Sequence, residues 1–136
     1  KWKNGAETLH GLLSRGFPNC FIVSNVQSGF SANFPHMINE QSRHIAYVIK
    51  NAVERQARTV EPTQEAEDAW VDTIVKLSVM REQFLAECTP GYYNNEGKVE
   101  LMNKKNSSYG AGPVAFTQVL EDWRAEGSLK GLELAP

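Results

Sequence analysis

The sequence predicts the mainly helical part of an α/β protein, in which one short buried strand feeds a long helix and long irregular loops join the remaining helices. Three observations carry this fold class. Cys20-Phe21-Ile22-Val23 is an apolar run of strand length, followed by a small-residue loop and then, from Pro35, by apolar residues at helical spacing. A second segment opens with acids near Pro62-Thr63 and continues with apolar residues three and four apart. Residues 91–112 hold tyrosines, amides and glycines with no period.

In chain order, residues 1–15 are mixed. Trp2, Leu9, Leu12 and Leu13 are apolar, and Thr8 and His10 suit a loop or short turn. His10 has no partner suggested by spacing and reads as an exposed or packing histidine. Phe17-Pro18-Asn19 is a turn-like approach to the strand, in which Cys20 is expected to be a reduced, buried small side chain. Asn25 to Asn33 then forms the loop. A strand ending in such a loop before a helix is where an α/β protein brings backbone N–H groups and the positive end of a helix dipole against a ligand, although a plain connection has the same pattern. Neither GxGxxG nor GxxxxGK[ST] occurs.

Pro35 suits a first helical turn, with Asn33 or Phe34 as the cap region. Ile38, Ile45, Val48, Ile49, Ala52 and Val53 form the expected apolar face, and Glu40, Arg43, Lys50, Glu54 and Arg55 fall largely elsewhere. Arg55 to Pro62 reads as a linker. Glu61, Glu65, Glu67, Asp68 and Asp72 are helix-start chemistry on a solvated face. Ala66, Trp70, Ile74, Leu77, Met80 or Arg81, and Phe84 continue the second helix to about Glu87.

Thr89-Pro90-Gly91 ends that helix, and Val99 to Met102 reads as an edge strand. The long segment around it is either a loop covering a ligand or a packing loop, since the paired rings of Tyr92 and Tyr93 need a surface to cover. A last helix runs from Pro113 to about Ala125 with Val114, Phe116 or Thr117, Leu120 and Trp123 as its stripe, and Glu126-Gly127 stops it. Leu129, Leu132 and Leu134 make a tail that tucks back onto the body.

At 136 residues the chain has the length of one ordinary domain. Its 14 basic and 16 acidic residues leave a net charge of −2, which gives no reason to expect a nucleic-acid partner, and Lys98, Lys104 and Lys105 read as a solvated loop. Two cysteines, Cys20 and Cys88, do not argue a disulfide scaffold. No stretch is long and apolar enough to span a membrane and no signal-peptide pattern opens the sequence, so a cytoplasmic setting is expected. His36 and His44 lie two helical turns apart without further ligands, so no metal site is expected. Ser28 and Ser31 have no patterned histidine and acid, and no catalytic set can be assembled. One convincing strand cannot satisfy its own edges, and a chain opening Lys1-Trp2-Lys3 reads as a piece of something larger.

Gly16-Phe17-Pro18-Asn19-Cys20-Phe21, the turn with Gln27-Ser28, Glu40-Gln41, and Glu61-Pro62-Thr63 through Glu65-Ala66-Glu67 to Ala69-Trp70 resemble, in order, the C-terminal part of flavin-dependent Baeyer–Villiger monooxygenases. Tyr109-Gly110-Ala111-Gly112-Pro113 and the ending from Asp122-Trp123-Arg124 to Gly131-Leu132-Glu133-Leu134 resemble the terminus of one branch, the one acting on large-ring or bulky ketones. Two places depart from the family pattern. Asn25-Val26-Gln27-Ser28-Gly29 keeps only the serine of a G-P-x-S-P turn, and the segment Thr89 to Lys98 lacks the family's tryptophan.

The resemblance implies an α/β flavoprotein fragment in two parts. Residues 1–60 would close an FAD-binding domain, and residues 61–136 would be a helical extension whose loop 89–112 covers the pocket. It implies cofactor contacts from Asn25, Val26, Gln27 and Ser28, and a substrate pocket bordered by Phe30, Ser31, Ala32, Asn33, Phe34, Tyr92 and Tyr93. It further implies FAD and NADP in the full-length enzyme, upstream regions of the same protein as partners, and insertion of one oxygen atom from O2 beside a ketone carbonyl to give an ester or lactone. The isolated segment is expected to be inactive. The competing expectations are a non-enzymatic helical interaction domain and a fragment of a flavoprotein hydroxylating nitrogen or sulfur.

Overall fold

The computed structural model describes residues 1–136, except that the side chains of residues 79–82 lie outside the description, and with them the expected stripe position at Met80 or Arg81. The order of regular elements is α1 (Phe34–Glu54), β1 (Thr59–Pro62), α2 (Gln64–Glu87), three short 3-10 segments within 92–106, α3 (Pro113–Glu126) and β2 (Leu132–Ala135). Residues 1–33 precede them as a folded coil.

Each helix starts as its cap chemistry dictates. The Asn33 side chain accepts from the His36 N–H, with Pro35 in the first turn of α1. Thr63 Oγ1 accepts from the Ala66 N–H at 3.1 Å to open α2, whose first turn carries Glu65 and Glu67. At the end of α3, Gly127 takes the left-handed conformation that stops a helix. The expected tail after α3 does fold back: β2 pairs antiparallel with β1, Val60 opposite Leu134 and Glu61 opposite Glu133.

Three expectations are corrected. The Arg55–Pro62 linker contains strand β1, because β2 supplies its ladder from the far end of the chain. Val99–Leu101 is a 3-10 turn instead of an edge strand. Cys20 to Val23 forms no buried strand. Cys20 is exposed and Val23 half exposed; among the described residues the segment's backbone pairing is a Cys20 N–H bond back to the Phe17 carbonyl, the Leu13–Phe21 bridge and an Ile22 N–H bond to the Leu12 carbonyl. A ladder needs a partner running several residues beside it, and here only Leu12 and Leu13 are within reach. Asn19 takes the structural part instead. Its N–H donates to the Val60 carbonyl, its Oδ1 accepts from the Val60 N–H, and its Nδ2 donates to the Arg58 carbonyl, which closes the free edge of β1.

The core joins Leu9, Met37, Trp70, Ile74, Phe116 and Leu120, with Tyr109, Val119 and Leu132 packed against it. Helix α1 contributes a different face from the one its sequence suggests. It buries Met37, Glu40, Gln41, His44, Val48 and Ala52, while Ile38, Ile49 and Val53 stay exposed. Polar side chains can occupy the inner face because α3 and the loop before α1 supply partners: Glu40 lies beside Arg43 and Arg124, and Gln41 reaches the loop backbone. Val114 of α3, expected inside, is exposed.

Glu67, expected on a solvated face, is fully buried. Its carboxylate accepts from Lys1 Nζ at 2.7 Å, Ser14 Oγ at 3.1 Å and the Arg15 N–H at 2.7 Å. One acid of the helix start thereby fastens the N-terminal coil to α2. The others follow the expected pattern more closely: Glu65, Asp68 and Asp72 are exposed, and half-buried Glu61 accepts from the Gly16 N–H.

Candidate functional site: the 24–34 loop

Between Ser24 and Phe34 the chain runs as a loop into α1, and its first half is held from every side. Ser28 Oγ donates to the Ser24 carbonyl, closing a short turn. From α1, the Gln41 amide donates to that same carbonyl at 2.8 Å and to Ser28 Oγ at 3.1 Å. Gln27 is wholly buried with φ of 56°, a left-handed conformation uncommon for a residue with a side chain.

Every polar group of Gln27 is engaged inside the protein. Its N–H donates to the Ser107 carbonyl at 2.8 Å, and its carbonyl accepts from the Trp70 indole at 3.0 Å. Its Oε1 accepts from Thr8 at 2.5 Å, and its Nε2 donates to the carbonyls of Ala6 and Lys105, both at 2.8 Å. The next residue continues the pairing, with the Tyr109 N–H donating to the Ser28 carbonyl. Tyr109 in turn stacks on Trp70 at 5.5 Å between centroids and 6° between planes. Gly11 is needed where the 8–11 turn meets this loop. Its φ is +72°, and a Cβ there would come within 2.7 Å of Ser28 Cβ and 2.8 Å of the Val26 carbonyl.

One amide is left over on the exposed side of the loop: among the described residues the N–H of Asn25 donates to no acceptor, while Ser28 and Gly29 are buried, and a Cβ on Gly29 would run into Met37 and Phe116. Ser24 and Val26 line a cleft of about 580 Å³ whose other walls include Trp2, Ala6, Thr8, Ile22 and Asn106. A free amide donor beside a mixed apolar and polar wall suits a flat ligand with a carbonyl group at its edge. An isoalloxazine ring has that shape and chemistry, so the residues present fit the flavin that the sequence resemblance implies.

The residues expected at the substrate pocket separate into two groups. Phe30 to Phe34 follow directly on the loop, with Phe30 and Phe34 about half exposed and Ser31 Oγ accepting from the Asn33 N–H. Tyr92 and Tyr93 lie after α2, where they are 88% and 78% exposed and meet each other edge to face at 5.5 Å. Their turn hangs on Asn94. Its Nδ2 donates to the carbonyls of Leu85, Cys88 and Thr89, and its Oδ1 accepts from the N–H groups of Gly91 and Gly97. Sequence reasoning did not single out Gln41, Asn94 or Tyr109 as organisers. An amide two turns into a helix beyond a small-residue loop was the only available signal for the first, and an asparagine just past a helix-ending proline for the second.

Beneath the loop, His10 and His44 pack with Trp70 and Trp123, His10 lying edge-on to His44 at 5.3 Å and to Trp70 at 5.0 Å. Burial lowers the His10 pKa to about 4. Burial, and then the charges of His10 and Arg124, lower His44 to about 3. Arg124 Nη1 lies 3.5 Å from His44 Nδ1, and a guanidinium can only donate, so Nδ1 is the acceptor of a neutral ring. Of the two roles its sequence context leaves open, exposed or packing, His10 takes the packing one. Among the described residues no group of histidine, cysteine, aspartate and glutamate side chains could hold a metal ion, and no helix is long and apolar enough to cross a membrane.

No protein-family model matches the chain. It is 48% identical over 134 residues to pentalenolactone D synthase of Streptomyces exfoliatus, a match covering 98% of this chain and 23% of the relative. It is 38% identical over 135 residues to a Baeyer–Villiger monooxygenase of Stachybotrys chlorohalonatus, covering 98% of this chain and 22% of that one. The fold superposes on polycyclic ketone monooxygenase from the fungus Thermothelomyces thermophila with a TM-score of 0.80 and 36% identity, over 98% of this chain and 22% of that one. The chain therefore spans less than a quarter of the length of the curated relatives it matches. The order of motifs, the fold and these matches agree, and the chain corresponds to the C-terminal segment of Baeyer–Villiger monooxygenases.

Proposed function

We propose that this chain works as the closing segment of an FAD- and NADPH-dependent monooxygenase that inserts one oxygen atom from O2 beside a ketone carbonyl to give an ester or lactone. The observation that carries the reading is the 24–29 loop, locked by Gln27 and Gln41 where Ser24 and Val26 line the cleft. In this reading residues 1–60 complete an FAD-binding domain and residues 61–136 form an extension carrying the 89–112 loop. The upstream FAD- and NADP-binding regions of the same protein are its partners.

The flavin supplies the oxygen chemistry, and the residues here bind, orient and exclude water. Asn25, with its free amide, and Val26 would border the flavin, while Gln27 and Ser28 hold the loop's shape. Phe30, Ser31, Ala32, Asn33 and Phe34 continue the wall toward the substrate. Tyr92 and Tyr93 are exposed here and become pocket residues only if their turn closes over the upstream regions. One structural relative is named for polycyclic ketones, and a bulky ketone is taken as substrate from it.

The test is the full-length source protein, purified and scanned for oxidised-flavin absorption, then assayed for ketone-dependent NADPH consumption. Bound flavin with consumption that rises on adding a polycyclic ketone supports the reading. A full-length protein without flavin, or one whose NADPH consumption ignores ketones, ends it. The 136-residue segment alone is expected to retain no stoichiometric FAD, and finding it there would contradict the division of labour proposed.

A further inference from the structure

Gln27 occupies the variable position of the turn, yet it is the most heavily bonded side chain in the loop. Its amide joins three stretches far apart in sequence: the N-terminal coil through Ala6 and Thr8, the loop itself, and the 103–109 segment through Lys105, with Ser107 and Tyr109 paired alongside. A left-handed, side-chain-bearing residue at zero exposure is strained, and such a conformation persists only where its surroundings over-determine it. Relaxing φ toward ordinary values would swing the following peptide groups at Ser28 and Gly29, both buried, and change the shape of the loop.

Resting on the reading above, we infer that Gln27 is a positioning residue: its side-chain amide holds the left-handed kink that shapes the loop bordering the proposed flavin site, and it does so by anchoring that loop to the 103–109 segment. The two carbonyls it serves accept only donors. A carboxylate in its place would keep the Thr8 bond and the shape, but would set an anion against the carbonyls of Ala6 and Lys105. Protonating that carboxyl restores one donor.

The experiment uses the full-length protein and the variants Gln27→Glu and Gln27→Leu, with Glu65→Ala as an exposed control. Amide hydrogen exchange is read in segments 24–29 and 103–109, and FAD affinity by fluorescence titration. Gln27→Glu is expected to speed exchange in both segments together at neutral pH and to weaken FAD binding tenfold or more, with both defects shrinking as pH is lowered toward the acid's pKa. Gln27→Leu is expected to show the same defects without the pH recovery. If Leu fails to fold, the pH response of Glu still decides. Exchange that rises in 24–29 alone, or a Gln27→Glu defect that ignores pH, overturns the inference. A wild-type protein that binds no FAD defeats the functional reading instead, and the joint exchange of the two segments still tests the anchor.

Discussion

The indole N–H of Trp70 donates to the backbone carbonyl of Gln27 at 3.0 Å, linking the second turn of α2 to the loop that precedes α1. Trp70→Phe keeps the ring and its stacking on Tyr109 but strands a buried carbonyl. The expected cost is about 1–3 kcal/mol, read as a lower denaturant midpoint at unchanged slope. A loss under about 0.5 kcal/mol would show that the carbonyl finds another donor.

Glu67 is the buried acid among exposed ones. Glu67→Ala leaves Lys1, Ser14 and the Arg15 N–H without their acceptor, with an expected loss of about 2–4 kcal/mol. Glu65→Ala, at an exposed position two residues away, should stay within about 0.5 kcal/mol of the parent. Equal effects from the two substitutions would contradict the buried assignment.

Gly11→Ala combines an unfavourable positive φ with a Cβ placed against backbone of the 26–28 loop. Neither strain has a flexible neighbour to absorb it, so a loss of about 2 kcal/mol or more is expected, together with faster amide exchange at Gln27 and Tyr109. Slow exchange at both sites in a folded variant would refute the close packing.

Acid sensitivity should come from the His10–His44 pair. Both folded pKa values, about 4 and about 3, lie below the ordinary 6.5, so the folded state binds fewer protons than the unfolded one in this range. The stabilisation is fully present above pH 6.5 and is lost as pH falls from there through 4 toward 3, on the order of a few kcal/mol in all. Thermal melts of the parent and of His44→Leu across that window decide it: the parent should fall more steeply than the variant. Parallel curves would place the acid sensitivity elsewhere.

The sequence by itself determined the three helices and their ends, because cap chemistry is local: Asn33 with Pro35, Thr63 with the acids after it, and Gly127 each act within one turn. It also determined the family likeness, which rests on residue types in order. What only the tertiary structure decided is which side of each element faces inward. Helix α1 buries Glu40, Gln41 and His44 and exposes Ile49 and Val53, since a polar side chain can go inside once Arg124 or the Ser24 carbonyl is there to meet it. Strand β1 exists because residues seventy or more positions later pair with it, and Cys20 to Val23 is no strand because nothing comparable lies beside it among the described residues. Gln27 looked like one small-loop residue among several. Its five hydrogen bonds come from partners as far away as Lys105 and Ser107, and a pairing of that range leaves no mark on the residues next to it.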